Sequence, residues 1–134
     1  MINSEVRGGG APRAWTHLRV DRRSASYMRV TFDHPPINTI TATTVVELAE
    51  LVGLIEEDRS LNVVVFDSAN PHFYLAHYDV ENDLRKTAAL GVGPTGMPAW
   101  IDVLVRLAQG TRFTVRLITT SQWTCSRAVS RSSK

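Results

Sequence analysis

Cysteine is nearly missing from this 134-residue chain. Cys125 stands alone, so no internal disulfide can form. A cytoplasmic setting is the default expectation for such a sequence. No run of 18 or more apolar residues occurs, so no membrane-spanning helix and no membrane partner are expected. The opening stretch MINSEVRGGGAPRAW lacks the apolar core of a secretory leader. There is no internal repeat and no G-x-S-x-G nucleophile turn. Acidic residues stop at Asp102 and glycines stop at Gly110.

What is present divides by charge. Residues 1–110 carry ten Arg/Lys and thirteen Asp/Glu, a net −3. Residues 111–134 carry Arg112, Arg116, Arg127, Arg131 and Lys134 with no acid, a net +5. A basic tail suits a polyanion, but these charges are spread out rather than clustered, so no nucleic-acid partner is expected. Hydrophobic residues at 43% and charged residues at 21% fit one globular domain.

Residues 1–14, with Gly8-Gly9-Gly10 and Pro12, read as a flexible lead-in. HLRVDR (17–22) and YMRVTFD (27–33) alternate apolar and polar, which predicts two strands joined by a turn at RSAS. Pro35 and Pro36 end the second. Thr41 or Thr43 then caps a helix whose stripe is Val45, Leu48, Leu51, Val52 and Ile55. Its end, EEDRS, is expected in solvent. LNVVVFDS (61–68) suits a strand buried on both faces. The segment 81–96 reads as a loop or short helix. MPAWIDVLVRLAQG (97–110) predicts a helix with Trp100, Ile101, Leu104, Val105 and Leu107 toward one side, Pro98 in its first turn and Gly110 at its stop. FTVRLIT is expected to form a last strand. Strand pair, crossover helix and buried strand together predict an α/β layer architecture.

Residues that carry chemistry crowd one segment, NPHFYLAHYDV (70–80). His72, His77 and Asp79 are too few and too loosely spaced for a zinc site, so no metal is expected. Ser68 with a nearby His and Asp makes a triad by composition only. GVGPTG (91–96) spells G-x-G-x-x-G, but no strand precedes it and Pro94 stiffens it, so it reads as loop punctuation. His17 and His34 read as surface or turn residues, Glu56-Glu57 as a solvated helix end, and Cys125 as a free thiol. Glu81 follows the unusual loop directly and is within reach of a cleft.

The ordered series VTFDHPPINTI, helix, then LNVVVFDSANPHFYLAHYDV resembles the N-terminal part of the enoyl-CoA hydratase/isomerase (crotonase) family, over roughly residues 16 to 108. In that family a strand ends in a Pro-x-x-Asn-like turn, a helix with an acidic end follows, then a Val-rich strand and a loop of the type F-x-x-G-x-D. Tyr74 falls on the Phe, Ala76 on a small residue, His77 on the Gly and Asp79 on the Asp. The resemblance implies a crotonase-like fold, incomplete here, with an unrelated basic tail at 111–134 and a half-domain at 15–110. It implies that the backbone N–H of Tyr78 is the first oxyanion donor to a thioester enolate. Ala76, His77, Tyr78, Asp79, Val80 and Glu81 then line the acyl-CoA site. It further implies coenzyme A thioesters as substrate, no other cofactor, and a homo-oligomer of the trimer type. His77 departs from the family Gly, and Glu81 sets a negative charge near the CoA phosphates.

After the 97–110 helix the family carries a Gly-rich turn with the second oxyanion donor, and then its catalytic glutamates. Here QGTRFTVRLITTSQWTCSRAVSRSSK offers neither. The break near Ala108 reads as a change of reading frame. The chain is therefore expected to be inactive as a hydratase. The alternatives are a non-catalytic CoA-binding or oligomerisation module, and a basic-tailed nucleic-acid binder.

Overall fold

The computed structural model describes residues 13–110 and 114–117. The first twelve residues, Cys125 and most of the basic tail lie outside the described residues.

Two strands, β1 (Leu18–Arg22) and β2 (Tyr27–Phe32), form an antiparallel hairpin in the register Leu18↔Phe32 and Val20↔Val30. The alternation seen in the sequence is kept: Met28, Val30 and Phe32 face the core, and Tyr27, Arg29 and Thr31 face the other side. Helix α1 (Ala42–Glu57) begins at Thr41, not Thr43. Thr41 is extended, and its hydroxyl accepts from the Thr44 N–H while the Thr44 hydroxyl accepts from the Thr41 N–H at 3.2 Å. This is a reciprocal cap with Thr in the place that Glu usually takes.

The α1 stripe is buried as expected, with Val45, Leu51 and Val52 at 0% exposure. It lies on Val30, Val64 and Phe66, and Phe32 stacks on Phe66 at 5.9 Å. Each such side chain contributes roughly 1.5–3 kcal/mol when fully buried. The helix crosses over to β3 (Val63–Ser68), which pairs parallel to β2 from Tyr27↔Val63 to Phe32↔Ser68. Val64 through Asp67 are all buried, which matches a strand covered on both faces.

Segment 81–96 contains one short helix, α2 (Leu84–Ala88). Helix α3 (Ala99–Gln109) follows, and β4 (Thr114–Leu117) adds a fourth strand parallel to β3. The sheet order is β1-β2-β3-β4. Among the described residues no helix is long and apolar enough to cross a membrane.

Two expectations are corrected here. The apolar stripe of α3 is not all buried: Ile101 and Leu104 are 41% and 44% exposed, while Val103 is fully buried and Trp100 and Leu107 pack against the core. The inward face is therefore 100, 103 and 107, one helical step away from 101 and 104. The acidic end of α1 is also not simply solvated. Glu56 takes a two-point bond from Arg106, Nε to Oε1 at 3.0 Å and Nη2 to Oε2 at 2.5 Å, and this joins α1 to α3. Arg106 also donates to the buried Asp102 at 3.3 Å. These charges lie four residues apart on α3 and point to the same side.

Candidate functional site

The loop after β3 is irregular, yet polar side chains hold it at many points. Ser68 ends the strand, and its hydroxyl lies 2.6 Å from the Phe73 carbonyl. The Asn70 side chain accepts from the N–H groups of His72 and Phe73 at 2.8 and 3.0 Å and donates to the Pro36 carbonyl at 2.6 Å. Tyr74 packs edge-on against Phe32 at 5.7 Å.

Farther along, the loop runs beside Ile40 as a parallel bridge with Tyr78. The Ile40 N–H donates to the His77 carbonyl, and the Asp79 N–H donates to the Ile40 carbonyl, both at 2.9 Å. Extended backbone alternates its polar groups, so His77 and Asp79 engage Ile40 while the N–H of Tyr78 points the other way. Among the described residues that N–H has no hydrogen-bond partner. The Tyr78 carbonyl accepts from the Val80 N–H at 2.9 Å and from His77 Nδ1 at 3.0 Å. A carbonyl can only accept, so the bond requires the proton on Nδ1.

The other residues singled out in the sequence fall around this point. Ala76 is half-buried, and its N–H reaches the Asn38 carbonyl at 3.4 Å. His77 stands in solvent, and its φ is not positive; Asn38 is the one non-glycine residue described with positive φ, at 57°. The strain expected for His in a glycine position is absent. Asp79 turns its carboxylate to the N–H and amide of Asn82 at 3.1 Å. Val80 is 58% exposed and Glu81 is exposed. His72 and His77 do not converge with Asp79, and among the described residues no group of three or more metal-type ligands forms. Ser68 serves as a hydrogen-bond relay. In GVGPTG, Gly91 and Gly96 have positive φ, and the loop closes as a bridge between Val92 and Pro98.

Among the described residues the phenols of Tyr78 and Tyr74 are shielded and find no hydrogen-bond partner. Burial pushes both phenols up from their ordinary value, with Asp83 and Asp79 adding to the effect at Tyr78 and Asp67 at Tyr74. Both therefore stay neutral at physiological pH. Asp83 is buried and accepts from the Ala42 N–H at the start of α1, where a carboxylate also complements the helix dipole. A mostly apolar cleft of about 200 Å³ lies between α1 (Val45, Val46, Ala49) and Leu90, Val92 and Ala99, and no residue from 76 to 81 lines it. It falls short of the roughly 300–1,000 Å³ usual for a whole ligand, so it suits only a small apolar group.

Sequence reasoning missed a cluster at the mouth of the hairpin. The rings of His17 and His34 stack at 3.7 Å, His17 Nδ1 lies 2.9 Å from the Thr44 hydroxyl, and Glu47 accepts from the His17 N–H at 2.9 Å. Burial lowers the His17 pKa, His34 lowers it further, and Glu47 and Asp83 oppose the change. The hairpin register is the signal that brings these rings together, since Leu18 faces Phe32.

A sheet of mixed direction, a crossover helix and a strand buried on both faces make a crotonase-like α/β unit. Solved structures carry a similar fold over part of their length. A candidate enoyl-CoA hydratase from Streptomyces avermitilis matches with a TM-score of 0.62 and 30% identity, over 76% of this chain and 38% of that one. An enoyl-CoA hydratase/isomerase from Marinobacter aquaeolei matches with a TM-score of 0.60 and 20% identity, over 77% of this chain and 40% of that one. A Magnetospirillum magneticum structure described as an enoyl-CoA hydratase/carnithine racemase gives 0.61 and 19%, over 78% and 39%. The chain is a partial crotonase-like protein, and these neighbours are enoyl-CoA hydratase/isomerase family members. It spans about two-fifths of their length. No family model matches the sequence, and no curated protein does.

Proposed function

We propose that this chain carries the acyl-thioester-binding half of an enolate-stabilising site, with the backbone N–H of Tyr78 as oxyanion donor. The observation behind this reading is that Ile40 engages both neighbours of Tyr78 and leaves its N–H outward, with no partner among the described residues. A thioester enolate concentrates negative charge on one oxygen. A preorganised amide stabilises that charge without reorganising, and one such donor is worth about 3–4 kcal/mol. Ala76 and His77 lead into the donor, and Asp79, Val80 and Glu81 follow it as the proposed wall for the CoA thioester. The side chains of His77 and Tyr78 are free to differ from the family because the backbone does the chemistry.

Hydration also requires a group that transfers protons. Of the carboxylates near Tyr78, Asp79 is bonded to Asn82 and Asp83 to the start of α1, while Glu81 and the His77 ring stand in solvent, away from a closed cleft. The chain as given therefore binds the thioester without turning it over, as a cytoplasmic homo-oligomer. The test is calorimetry with acetyl-CoA beside an ultraviolet assay for hydration of a short enoyl-CoA. Binding without hydration is expected. Hydration at the ordinary enzymatic rate of about 1–10³ per second would overturn the inactive reading. Absence of binding would overturn the site.

A second reading, an assembly module, draws on the exposed apolar residues Val46, Met97, Ile101 and Leu104. It predicts concentration-dependent association with no response to acetyl-CoA.

A further inference from the structure

Residue 38 is buried at 3% exposure, in the turn between β2 and α1, far in sequence from the loop it touches. Its side-chain amide has four partners, three of which share the two Nδ2 protons. Asn38 Nδ2 donates to the Ser68 hydroxyl at 2.7 Å, the Tyr74 carbonyl at 3.1 Å and the Phe32 carbonyl at 3.3 Å. Asn38 Oδ1 accepts from the His34 N–H at 2.8 Å. Its own carbonyl accepts from Ala76, and its N–H donates to the His34 carbonyl at 2.8 Å. One residue thus binds the end of β2, the end of β3 and the loop between Tyr74 and Ala76. Two residues on, Ile40 fixes His77 and Asp79.

We infer that Asn38 is the positioning residue for the proposed oxyanion donor: its side-chain amide sets where the loop leaves β3, and so where the Tyr78 N–H points. This rests on the thioester reading above. The residue type follows from two demands at one position. The φ of 57° favours Asn, Asp or Gly. The two carbonyls and the hydroxyl require a donor, which Asp and Gly lack. Asn meets both. Ser68 extends the arrangement, because the hydroxyl that accepts from Asn38 also accepts from the Asn70 N–H at 3.0 Å.

Asn38→Gly and Asn38→Asp separate the two demands, since both keep the backbone conformation and remove the donor. Amide hydrogen exchange and nitrogen–proton spectra of the isotope-labelled full chain read the result, before and after acetyl-CoA is added. In both variants Ala76 and Asp79 are expected to exchange at least about tenfold faster, with Val64 and Phe66 changed by less than about twofold, as local opening requires. The shift of the Tyr78 amide on adding acetyl-CoA is expected to disappear. A merely structural role accelerates the core amides together with the loop, and that outcome overturns the inference. Wild-type protection of Ala76 and Asp79 in Asn38→Asp also overturns it. Should neither variant fold, Ser68→Ala decides the question: it keeps Asn38 and removes one acceptor. Faster exchange at Ala76 supports the inference and unchanged exchange overturns it. A wild-type Tyr78 amide that ignores acetyl-CoA sinks the thioester reading alone, and the loop amides still decide the role of Asn38.

Discussion

Two irregular loops flank α2, and they are held in different proportions by side chains and backbone. The loop from Ala69 to Asp83 contains no glycine and is tied by side chains, with Ser68, Asn70, Asn38 and Asp79 all bonded to its backbone. The loop from Gly91 to Pro98 is tied by its own backbone: Gly93 N–H to the Met97 carbonyl and Gly96 N–H to the Gly93 carbonyl, both at 2.9 Å. It turns at Gly91 and Gly96 with positive φ and packs Gly93 against Asp102. In the first loop no residue needs a positive φ, and so His77 and Tyr78 fit. The second loop leaves no such freedom at Gly91, Gly93 and Gly96.

Gly93→Ala is the strongest way to break this contrast. A Cβ there falls 2.1 Å from Asp102 Cγ, and Asp102 is 1% exposed and bonded to Thr95 and Arg106. The clash displaces a buried charge from its partners, and a loss of about 3 kcal/mol in urea unfolding is expected. An unchanged urea midpoint would show that the loop moves aside freely.

Acid should act on the same loop next. Burial raises the Asp102 pKa, but the Thr95 N–H and hydroxyl and Arg106 outweigh it and hold the carboxyl below 3.8. A lowered folded-state value means that its stabilisation is complete above pH 3.8 and is lost as the pH falls through the lower, folded value. Protection of the Thr95 amide, relative to its intrinsic exchange rate at each pH, should therefore fall with acid, and that fall should be absent in Asp102→Asn. In the other loop, Asn70→Ala removes two acceptor bonds and one donor bond, and a loss of about 1–2 kcal/mol in the same urea assay is expected. His77→Gly should have the smallest effect. Because φ at His77 is not positive, glycine relieves no strain and costs roughly 0.5–1 kcal/mol in chain entropy. A gain in stability there would contradict the backbone described.

The contrast also separates what the sequence makes legible from what it does not. The strands, α1 and α3 follow from local period, because Val45, Leu48, Leu51, Val52 and Ile55 repeat at helical steps and β2 alternates. The free N–H of Tyr78 was reachable only through family resemblance, since nothing local distinguishes it. The Asn38 bonds to Ser68 and Tyr74 span 30 and 36 residues, and the His17–Thr44 contact spans 27. No window of sequence holds both partners. The inward face of α3 was missed for a similar reason: Val103 and Arg106 are chosen by α1, and period alone cannot choose between 100-103-107 and 101-104.

The crossover through α1 also sets an order of events. The hairpin and α1 contain mostly local contacts, whereas Tyr27 meets Val63 only after the whole helix has been passed. Closing that span comes late because its entropy must be met before any pairing rewards it. The bonds from Asn38 to Ser68 and Tyr74 need β3 already beside β2, so they close after the rate-limiting step. Loosening Asn38 or Ser68 should then speed unfolding and leave the folding rate nearly unchanged, which stopped-flow dilution from urea would measure. On that order the segment proposed to meet the ligand is expected to form only after β3 has joined β2, and to be released before the sheet opens.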